Sequence, residues 1–381
     1  MEFGWSDTQR QLWDNMIQFA QIELEMDLVE RDHTGTFLEA NWQKVAEKGV
    51  FGLYVPELYG GGGHDMVTTV HALEALGYGC PDNGLTLAIN GQMWAVQEPI
   101  LQFGTEEQKQ KYLPGLLNGS IKGAHGMTEP SAGSDAFSLS TTAKKTDGGY
   151  LLNGEKMFIG LGPVAGVVLV FATVNPDIGR WGVTAFLVDG DADGLELCPP
   201  QSKMGLRTGP MGNVILKDVF VPDESLLGKP GSGASIFNAS MKYERSFIFA
   251  SHIGSMARQL DASIAYVNER QQGGQSIGKY QSVSNRIADM KVRLETARHF
   301  LYKAAWAIDQ KQDAMLEAAM AKLVISELFV ENSLDAIRVH GGRGYLTDYG
   351  VERDLRDALG GVIYSGTSDI QRNLIAGLLG L

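Results

Sequence analysis

A carboxylate flanked by apolar residues is the first candidate for chemistry in this sequence. Glu244 lies between Tyr243 and Arg245, and the apolar residues 247–249 follow one turn later. Such a carboxylate would be partly desolvated, which is an environment in which a side chain can act as a general base. These residues by themselves favour a simpler interpretation, a surface glutamate whose charge lies in water.

Three further segments combine glycine with hydroxyl or charged side chains: MTEPSAGSD at 127–135, VHGGRGY at 339–345 and YSGTSDIQR at 364–372. Backbone N–H groups and hydroxyls in the first can bind an anion or the edge of a heterocycle. Helix N-termini that follow the glycine breaks in the other two can bind phosphate. Taken singly, each segment is explained more simply as a turn or a connection between helices.

The hydrophobic pattern divides the chain into zones that must position these segments. Residues 1–120 are predicted to be helical, with an apolar stripe from Leu12 to Leu28 and a stop at the glycines 60–63. Residues 121–230 contain short β-rich runs at 167–171, 183–188, 214–216 and 219–221. Segment 153–160 (NGEKMFIG) adds a predicted hairpin followed by an apolar strand. No helical pattern interrupts these runs, so an antiparallel sheet or small barrel is expected.

Residues 231–381 are helical again. Apolar residues recur in steps of three and four from Val283 to Ile308, which predicts one long amphipathic helix. A second long helix is predicted over 313–339, with Leu316, Met320, Leu323 and Leu334 on its apolar stripe. The expected fold is therefore α+β: a helical domain over 1–120, an antiparallel β-domain over 121–230 and a helical bundle over 231–381.

Composition excludes several classes of function. The 381 residues carry 32 Lys and Arg against 45 Asp and Glu, a formal net charge of −13, and no basic stripe. Nucleic acid and anionic membranes are therefore not expected as partners. No run of 18 apolar residues predicts a membrane span. Cys80 and Cys198 form no CxxC motif, which favours a reduced, cytoplasmic protein. The histidines lack metal-binding spacing, so no metal is expected.

In their order and spacing, these segments resemble the acyl-CoA dehydrogenase family over nearly the whole chain. The MTEPSAGSD and YSGTSDIQR segments match family signatures, and FGTEEQK at 103–109 adds to the match. The resemblance implies the acyl-CoA dehydrogenase fold, with a C-terminal four-helix bundle, a homotetramer and non-covalent FAD.

The resemblance also assigns the cofactor residues. Those expected to line the flavin and its ribityl or pyrophosphate part are Met127, Thr128, Gly133 and Ser134, with Phe158 and Ile159 packed on the isoalloxazine. Those expected to bind the adenine and pyrophosphate of a neighbouring subunit's FAD are Arg270, Gln281, Gly341 and Gly342. Thr367 and Asp369 are expected to close the same cofactor.

Several positions depart from the family pattern. Phe158-Ile159-Gly160 stands where Trp-Ile-Thr is usual, so a hydroxyl near flavin N5 is missing. Arg338 replaces a common Gln near the pyrophosphate, and RQQGG at 270–274 lacks the aromatic residue of Arg-x-x-Phe-Gly. Above all, Ser365 occupies the position of the usual catalytic glutamate.

Serine cannot take an α-proton unaided at neutral pH, so the base must come from elsewhere or be absent. The isovaleryl and long-chain branches place it on a bundle helix, in the residue before an arginine. That residue is Glu244 here, and Arg245, Tyr364 and Ser365 are expected on the substrate side. The resemblance implies that Glu244 removes the α-proton of an acyl thioester while a β-hydride moves to flavin N5. The flavin 2′-hydroxyl and the Ser365 N–H would bind the thioester oxygen.

Residues 242–256 resemble a secondary-metabolite branch that oxidises L-prolyl groups on an acyl or peptidyl carrier protein, as in the prodigiosin, pyoluteorin and anatoxin pathways. A carrier-bound prolyl thioester is the predicted substrate. One alternative is a short- or branched-chain acyl-CoA dehydrogenase of the isovaleryl type. Another is a non-catalytic flavin-binding or assembly protein, which Ser365 would permit. Either O2 or an electron-transfer flavoprotein is expected as the electron acceptor.

Overall fold

The computed structural model describes residues 4–24 and 27–381. The N-terminal part is helical, as predicted. Its helices are α1 (Asp7–Ile22), α2 (Leu28–Thr34), α3 (Glu39–Glu47), α4 (Met66–Gly79), α5 (Asn83–Gln92), α6 (Glu98–Phe103) and α7 (Glu106–Leu117). A π-helical turn, Met93–Gln97, joins α5 to α6. The predicted stripe from Leu12 to Leu28 is divided between two helices, because α1 ends at Ile22.

Polar residues before these helices fix where they begin. The Ser6 hydroxyl accepts a hydrogen bond from Gln9 N at 3.2 Å, and the Thr105 hydroxyl accepts one from Gln108 N at 3.3 Å. In both places the glutamine side chain accepts a bond from the backbone N–H of the capping residue, which completes a capping box. These contacts satisfy backbone donors that a helix leaves free in its first turn.

The middle part forms a mixed, mainly antiparallel sheet. Its strands are β1 (Gly123–Gly126), β2 (Thr142–Thr146), β3 (Gly149–Gly160), β4 (Val167–Thr173), β5 (Val183–Asp189), β6 (Leu195–Leu197), β7 (Met211–Pro222) and β8 (Leu226–Leu227). Their order is β6-β7-β3-β2-β4-β5-β8, and β1 pairs with β4. The β1–β4 pair and the single β2–β4 bridge are parallel, which the prediction of an antiparallel sheet did not include.

Two predictions about individual strands were wrong. The runs 214–216 and 219–221 belong to one strand, β7, and Asn153-Gly154 lies inside β3 rather than in a hairpin turn. The register shifts between Leu152 and Gly154. There the Asn153 side chain and Asp218 exchange two hydrogen bonds of 2.9 Å. The irregularity is therefore a β-bulge between paired strands, which local composition does not distinguish from a turn.

The C-terminal part is a helical bundle with one small hairpin. Its elements are α8 (Gly233–Phe247), α9 (Ala250–Glu269), β9 (Gln271–Gln272), β10 (Gln275–Ser276), α10 (Gln281–Asp309), α11 (Met315–His340), α12 (Gly342–Tyr345), α13 (Val351–Gly361) and α14 (Ser368–Leu378). The predicted face of α10 is buried at Met290, Leu294 and Leu301. The predicted stripe of α11 was wrong: its leucines are half-buried, and Ile325 and Phe329 face the core instead.

The three parts meet at a buried polar junction. Asn83, at the start of α5, donates hydrogen bonds to Asp354 at 2.9 Å and to Asp357 at 3.0 Å, both on α13. Asp357 also accepts a hydrogen bond from Leu206 N, in the β-domain. Burial raises the pKa of Asp357 to about 7. This junction holds the end of α13 and the loop that follows it in a fixed place. Within residues 4–24 and 27–381, no helix combines the length and apolarity needed to cross a membrane.

Candidate functional site

Glu244 and Ser365 are in direct contact. Glu244 lies in the last turns of α8, and Ser365 lies in the loop between α13 and α14. The Ser365 hydroxyl donates a hydrogen bond of 2.6 Å to Oε1 of Glu244. The other carboxylate oxygen, Oε2, is buried without a hydrogen-bond partner among the described residues. One oxygen is thus fixed in place, and the other is free to receive a proton.

The loop at Ser365 has a defined conformation. Ser365 and Gly366 both have positive φ, 54° and 86°. The buried amide of Gln371 donates hydrogen bonds to Ser365 O at 3.3 Å and to Gly366 O at 2.9 Å. The Thr367 hydroxyl caps α14 by accepting a bond from Ile370 N at 3.2 Å. These contacts offset the cost of the left-handed backbone at Ser365, where a residue with a Cβ is disfavoured.

Tyr364 and Arg245 border the same site. The ring of Tyr364 stacks on Phe249 with a centroid distance of 5.5 Å. Arg245 is only 6% exposed, and its Nε has no partner in the described part of the chain. Burial lowers the pKa of Arg245, although Glu244 acts to raise it. All three predicted substrate-side residues, including Ser365, therefore lie near Glu244; their roles stay predictions.

A second buried cation, Lys322 of α11, lies near Arg245. Its side chain is fully buried, and its Nζ has no hydrogen-bond partner among the described residues. Burial lowers the pKa of Lys322 to about 8. The positive charge of Arg245 adds to this lowering, whereas the negative charge of Glu327 opposes it. Helix α8 therefore carries one desolvated positive group, Arg245, and a second one, Lys322 of α11, lies near it. Sequence analysis did not single out Lys322.

A buried ion pair fixes the predicted flavin segment. Lys156 Nζ lies 2.7 Å from Glu129 Oε1, and both side chains are fully buried. Glu129 also accepts hydrogen bonds from Ser140 N at 2.6 Å and from Thr141 N at 3.1 Å. Burial would raise the pKa of Glu129, but Lys156 and these donors lower it to about 2. Sequence analysis missed this pair, although a lysine directly before the apolar run 157–159 was a signal.

The residues assigned to the flavin lie along this segment and the adjacent strand. Met157 N donates a hydrogen bond of 2.8 Å to Thr128 O, which joins segment 127–134 to β3. Met127 and Ile159 are buried, whereas Gly133, Ser134 and Phe158 are exposed. Phe158 has a φ of 59° and a 55% exposed ring. The structure therefore brings the two predicted flavin segments together.

Open space next to the backbone fits a bound cofactor here. A Cβ added at Gly133 or at Gly160 would meet no atom within 4 Å. The same two segments carry the hydroxyls of Thr128 and Ser134 and the exposed ring of Phe158, groups whose chemistry suits a flavin and its ribityl chain. Gly160 is the position at which the resemblance led us to expect a threonine hydroxyl.

The other assigned cofactor residues lie at the far end of the bundle. Arg270 ends α9, Gln281 begins α10, and Gly341 and Gly342 follow α11. Tyr266 stacks on His340 at 4.3 Å, which joins the ends of α9 and α11. The twenty residues of α9 span about 30 Å, so this group is remote from Glu244. By contrast, Thr367 and Asp369 lie close to Ser365 in sequence and structure.

Two departures from the family pattern have structural reasons. The Arg338 charge is shared, because Asp335 accepts hydrogen bonds from Arg338 at 3.0 Å, Arg286 at 2.6 Å and Arg293 at 2.7 Å. The missing aromatic residue falls in the β9–β10 turn, where Gly273 and Gly274 both have positive φ. Two successive residues of that kind form the tight hairpin turn that glycine pairs favour. In the described part of the chain, no group of His, Cys, Asp and Glu side chains is placed to hold a metal ion.

Comparison with known protein families gives three matches that follow one another along the chain. Residues 6–120 match the acyl-CoA dehydrogenase N-terminal domain, residues 124–219 the middle domain and residues 231–379 the C-terminal domain. The chain belongs to the acyl-CoA dehydrogenase family. This acyl-CoA dehydrogenase family member is therefore an FAD-dependent oxidoreductase with the three-part fold that the sequence predicted.

Among individual proteins, this family member is similar to the L-prolyl-[peptidyl-carrier protein] dehydrogenase of Pseudomonas fluorescens. The two are 40% identical over 378 residues, which cover 99% of each chain. Among solved structures, it is similar to the prolyl acyl carrier protein oxidase AnaB, with 48% identity, a TM-score of 0.98 and coverage of 99% and 100%. PigA with FAD and proline is 38% identical, with a TM-score of 0.97 and full coverage of both chains.

Proposed function

We propose that this protein catalyses FAD-dependent α,β-dehydrogenation of an L-prolyl group held as a thioester on an acyl or peptidyl carrier protein. The observation that carries the proposal is the Glu244 carboxylate, with Oε1 held by Ser365 and Oε2 buried and unpartnered. Similarity over the full chain to proteins named for prolyl-carrier substrates supports the choice of substrate.

Glu244 is the proposed base. Its Oε2 has no hydrogen-bond donor among the described residues to compete for its lone pairs, so it can accept the α-proton of the substrate. The Ser365 hydroxyl bonds only Oε1 and so fixes the direction in which Oε2 points. Bound FAD supplies the acceptor for the β-hydride.

The backbone of Ser365 is the proposed donor to the thioester oxygen. Its N–H donates no hydrogen bond to another group in the described residues, whereas its carbonyl is held by Gln371 at 3.3 Å. A preoriented N–H stabilises negative charge that develops on a carbonyl oxygen. It also polarises the thioester and so acidifies the α-hydrogen that Glu244 removes.

Several partners follow from the same proposal. The carrier protein delivers the substrate, and O2 or an electron-transfer flavoprotein accepts the electrons. A homotetramer would allow Arg270, Gln281, Gly341 and Gly342 to serve a neighbouring subunit's FAD. The half-buried Leu316, Met320, Leu323 and Leu334 on α11 give such an assembly an apolar contact surface. The free cysteines Cys80 and Cys198 fit the expected cytoplasmic location.

The test is the intact mass of a prolyl-loaded carrier protein after incubation in air with the purified enzyme. We expect loss of one hydrogen pair or more with the wild type and no change with Glu244→Gln. Glu47→Gln is the matched control, because Glu47 is an exposed glutamate at the end of α3, and it should retain full turnover.

Other outcomes separate the alternatives. If prolyl-carrier bleaches the flavin under nitrogen but gives no product in air, the electron acceptor is a flavoprotein and not O2. If isovaleryl-CoA or a short acyl-CoA bleaches the flavin and prolyl-carrier does not, the carrier-bound substrate is wrong. A flavin that no thioester bleaches would indicate a non-catalytic protein, and Glu244→Gln would then change nothing.

A further inference from the structure

His125 lies on β1, packs on Phe237 of α8, the helix that carries the proposed base, and interacts electrostatically with Glu244. It has no role in the mechanism above. Its register partner on β4 is Leu169. The imidazole ring lies between two aromatic rings, 5.2 Å from Phe171 and 5.9 Å from Phe237, measured between centroids. Phe137 packs edge-on against Phe237 at 5.7 Å and extends the same wall. A histidine thus interrupts an otherwise apolar cluster.

The imidazole of His125 is neutral at physiological pH. Burial lowers the pKa of His125, and Lys156 adds to that effect, although Glu244 and a hydrogen bond with its own backbone act to raise it. A neutral imidazole has one N–H and one lone pair, and we assign the lone pair to Nε2, the ring nitrogen that is buried without a hydrogen-bond partner in the described residues.

The lone pair on Nε2 is unsatisfied. Nε2 is buried and has no hydrogen-bond partner among the described residues, and the same is true of Glu244 Oε2. Leaving a buried polar atom without a partner costs about 1–3 kcal/mol. Two unpartnered acceptors near each other, one on β1 and one on α8, therefore indicate a ligand that brings hydrogen to both.

We propose that Nε2 of His125 accepts a hydrogen bond from the ring nitrogen of the aminoacyl substrate, and that this contact selects a cyclic α-amino thioester over an ordinary acyl chain. The inference rests on the proposed prolyl substrate. In a prolyl thioester the nitrogen is bonded to the same α-carbon whose proton Glu244 removes. When Glu244 faces the α-proton, the ring N–H of the substrate is therefore close enough to Nε2 of His125 to donate a hydrogen bond to it.

Acyl chains without nitrogen present only C–H bonds at this place. They would leave Nε2 buried and unpaired, and sites built to bond an N–H discriminate strongly against analogues that lack it. The partly buried rings of Phe237 and Phe137 provide an apolar wall against which the ring methylenes can pack. His125 thus supplies the polar contact of a pocket that is otherwise apolar.

The experiment compares two carrier-bound thioesters, prolyl and cyclopentanecarbonyl, which differ chiefly in the ring nitrogen. Both are tested with the wild-type holoenzyme, His125→Phe and His125→Gln, and flavin bleaching gives kcat/KM. In His125→Phe we expect the value for prolyl to fall about 10- to 100-fold and the value for cyclopentanecarbonyl to stay equal or rise. His125→Gln, whose amide oxygen is an acceptor, should recover part of the loss.

Flavin content and thermal unfolding show whether each variant is folded. Phenylalanine was chosen as the replacement because position 125 lies in an aromatic cluster. An equal fall for both thioesters in His125→Phe, with flavin content retained, would overturn the inference, because a structural role does not depend on the ring nitrogen. A failure of the proposed function looks different. Wild-type enzyme would then turn over acyl-CoA and leave both carrier-bound rings untouched.

Discussion

The hydroxyl of Ser365 lies 2.6 Å from Oε1 of Glu244, although 121 positions separate the two residues in the chain. The family resemblance implies that Ser365 stands at the usual position of the catalytic glutamate, and Glu244 is the base proposed in its place. Because the two side chains touch, a carboxylate from either position reaches the same small region of the site. The contact is therefore consistent with a base on α8 in this chain.

Ser365→Ala tests whether this contact orients the base. Hydrogen bonds to charged groups contribute about 1.5–3 kcal/mol, so kcat should fall about 10- to 100-fold with KM little changed. Steady-state kinetics with flavin content measured in parallel would check this. Ser368→Ala is the control, because the buried Ser368 hydroxyl has no partner in the described residues. Equal losses in both variants would show that the Ser365 hydroxyl does not orient Glu244.

Lys156→Met should destabilise the protein strongly. Removing Lys156 leaves the buried Glu129 carboxylate without a counter-charge, at a cost of about 3–5 kcal/mol. Chemical denaturation followed by fluorescence would measure the free energy of unfolding. Lys217→Met is the control: it breaks the exposed pair with Glu196 at 3.1 Å and should cost about 0–1 kcal/mol. Similar costs for both would contradict the role assigned to Lys156.

Phe158→Ala should weaken FAD binding about 10-fold, because an exposed aromatic ring predicted to pack on the isoalloxazine is lost. The flavin-to-protein ratio after gel filtration and the dissociation constant for FAD would check this. Phe220→Ala removes a ring of similar exposure, 49% against 55%, from β7 and should leave FAD binding unchanged. If both variants retain FAD equally, Phe158 does not contact the cofactor.

His71 should make stability depend on pH. Burial lowers the pKa of His71 to about 4, and Arg298 adds to the effect. An unfolded histidine titrates near pH 6.5, so the folded form binds the proton less readily. The stabilisation is present above about pH 6.5 and is lost as the pH falls towards about 4.

Urea unfolding at pH 7.5 and at pH 5 would measure this dependence. In His71→Phe, which can still stack between Trp5 and Trp13, we expect a shallower loss of stability on acidification. His299→Gln is the control, because His299 is exposed. If His71→Phe loses as much unfolding free energy between pH 7.5 and pH 5 as the wild type, other groups cause the acid sensitivity.

The sequence determined the zones of secondary structure and the family. Helical periodicity over 1–120 and 231–381 and β-rich runs between them are local patterns, and the structure follows them because each element buries its own apolar face. The resemblance to the family also gave a candidate base without coordinates, because serine occupies the usual position at 365 and Glu244 precedes Arg245; the role of Glu244 stays a prediction. Lys156 precedes the apolar run 157–159 in the sequence, but no local pattern identifies Glu129 as its partner.

Tertiary structure alone decided which distant residues meet. The bulge at Asn153 and Asp218 depends on strand pairing, so composition predicted a turn where β3 continues. The buried face of α11 depends on which helices surround it, and periodicity placed it on the wrong side. The contacts of Ser365 with Glu244, of Lys156 with Glu129 and of His125 with the aromatic wall join segments far apart in the chain. Local pattern fixes only which face of an element is apolar, whereas packing of whole elements fixes what that face touches.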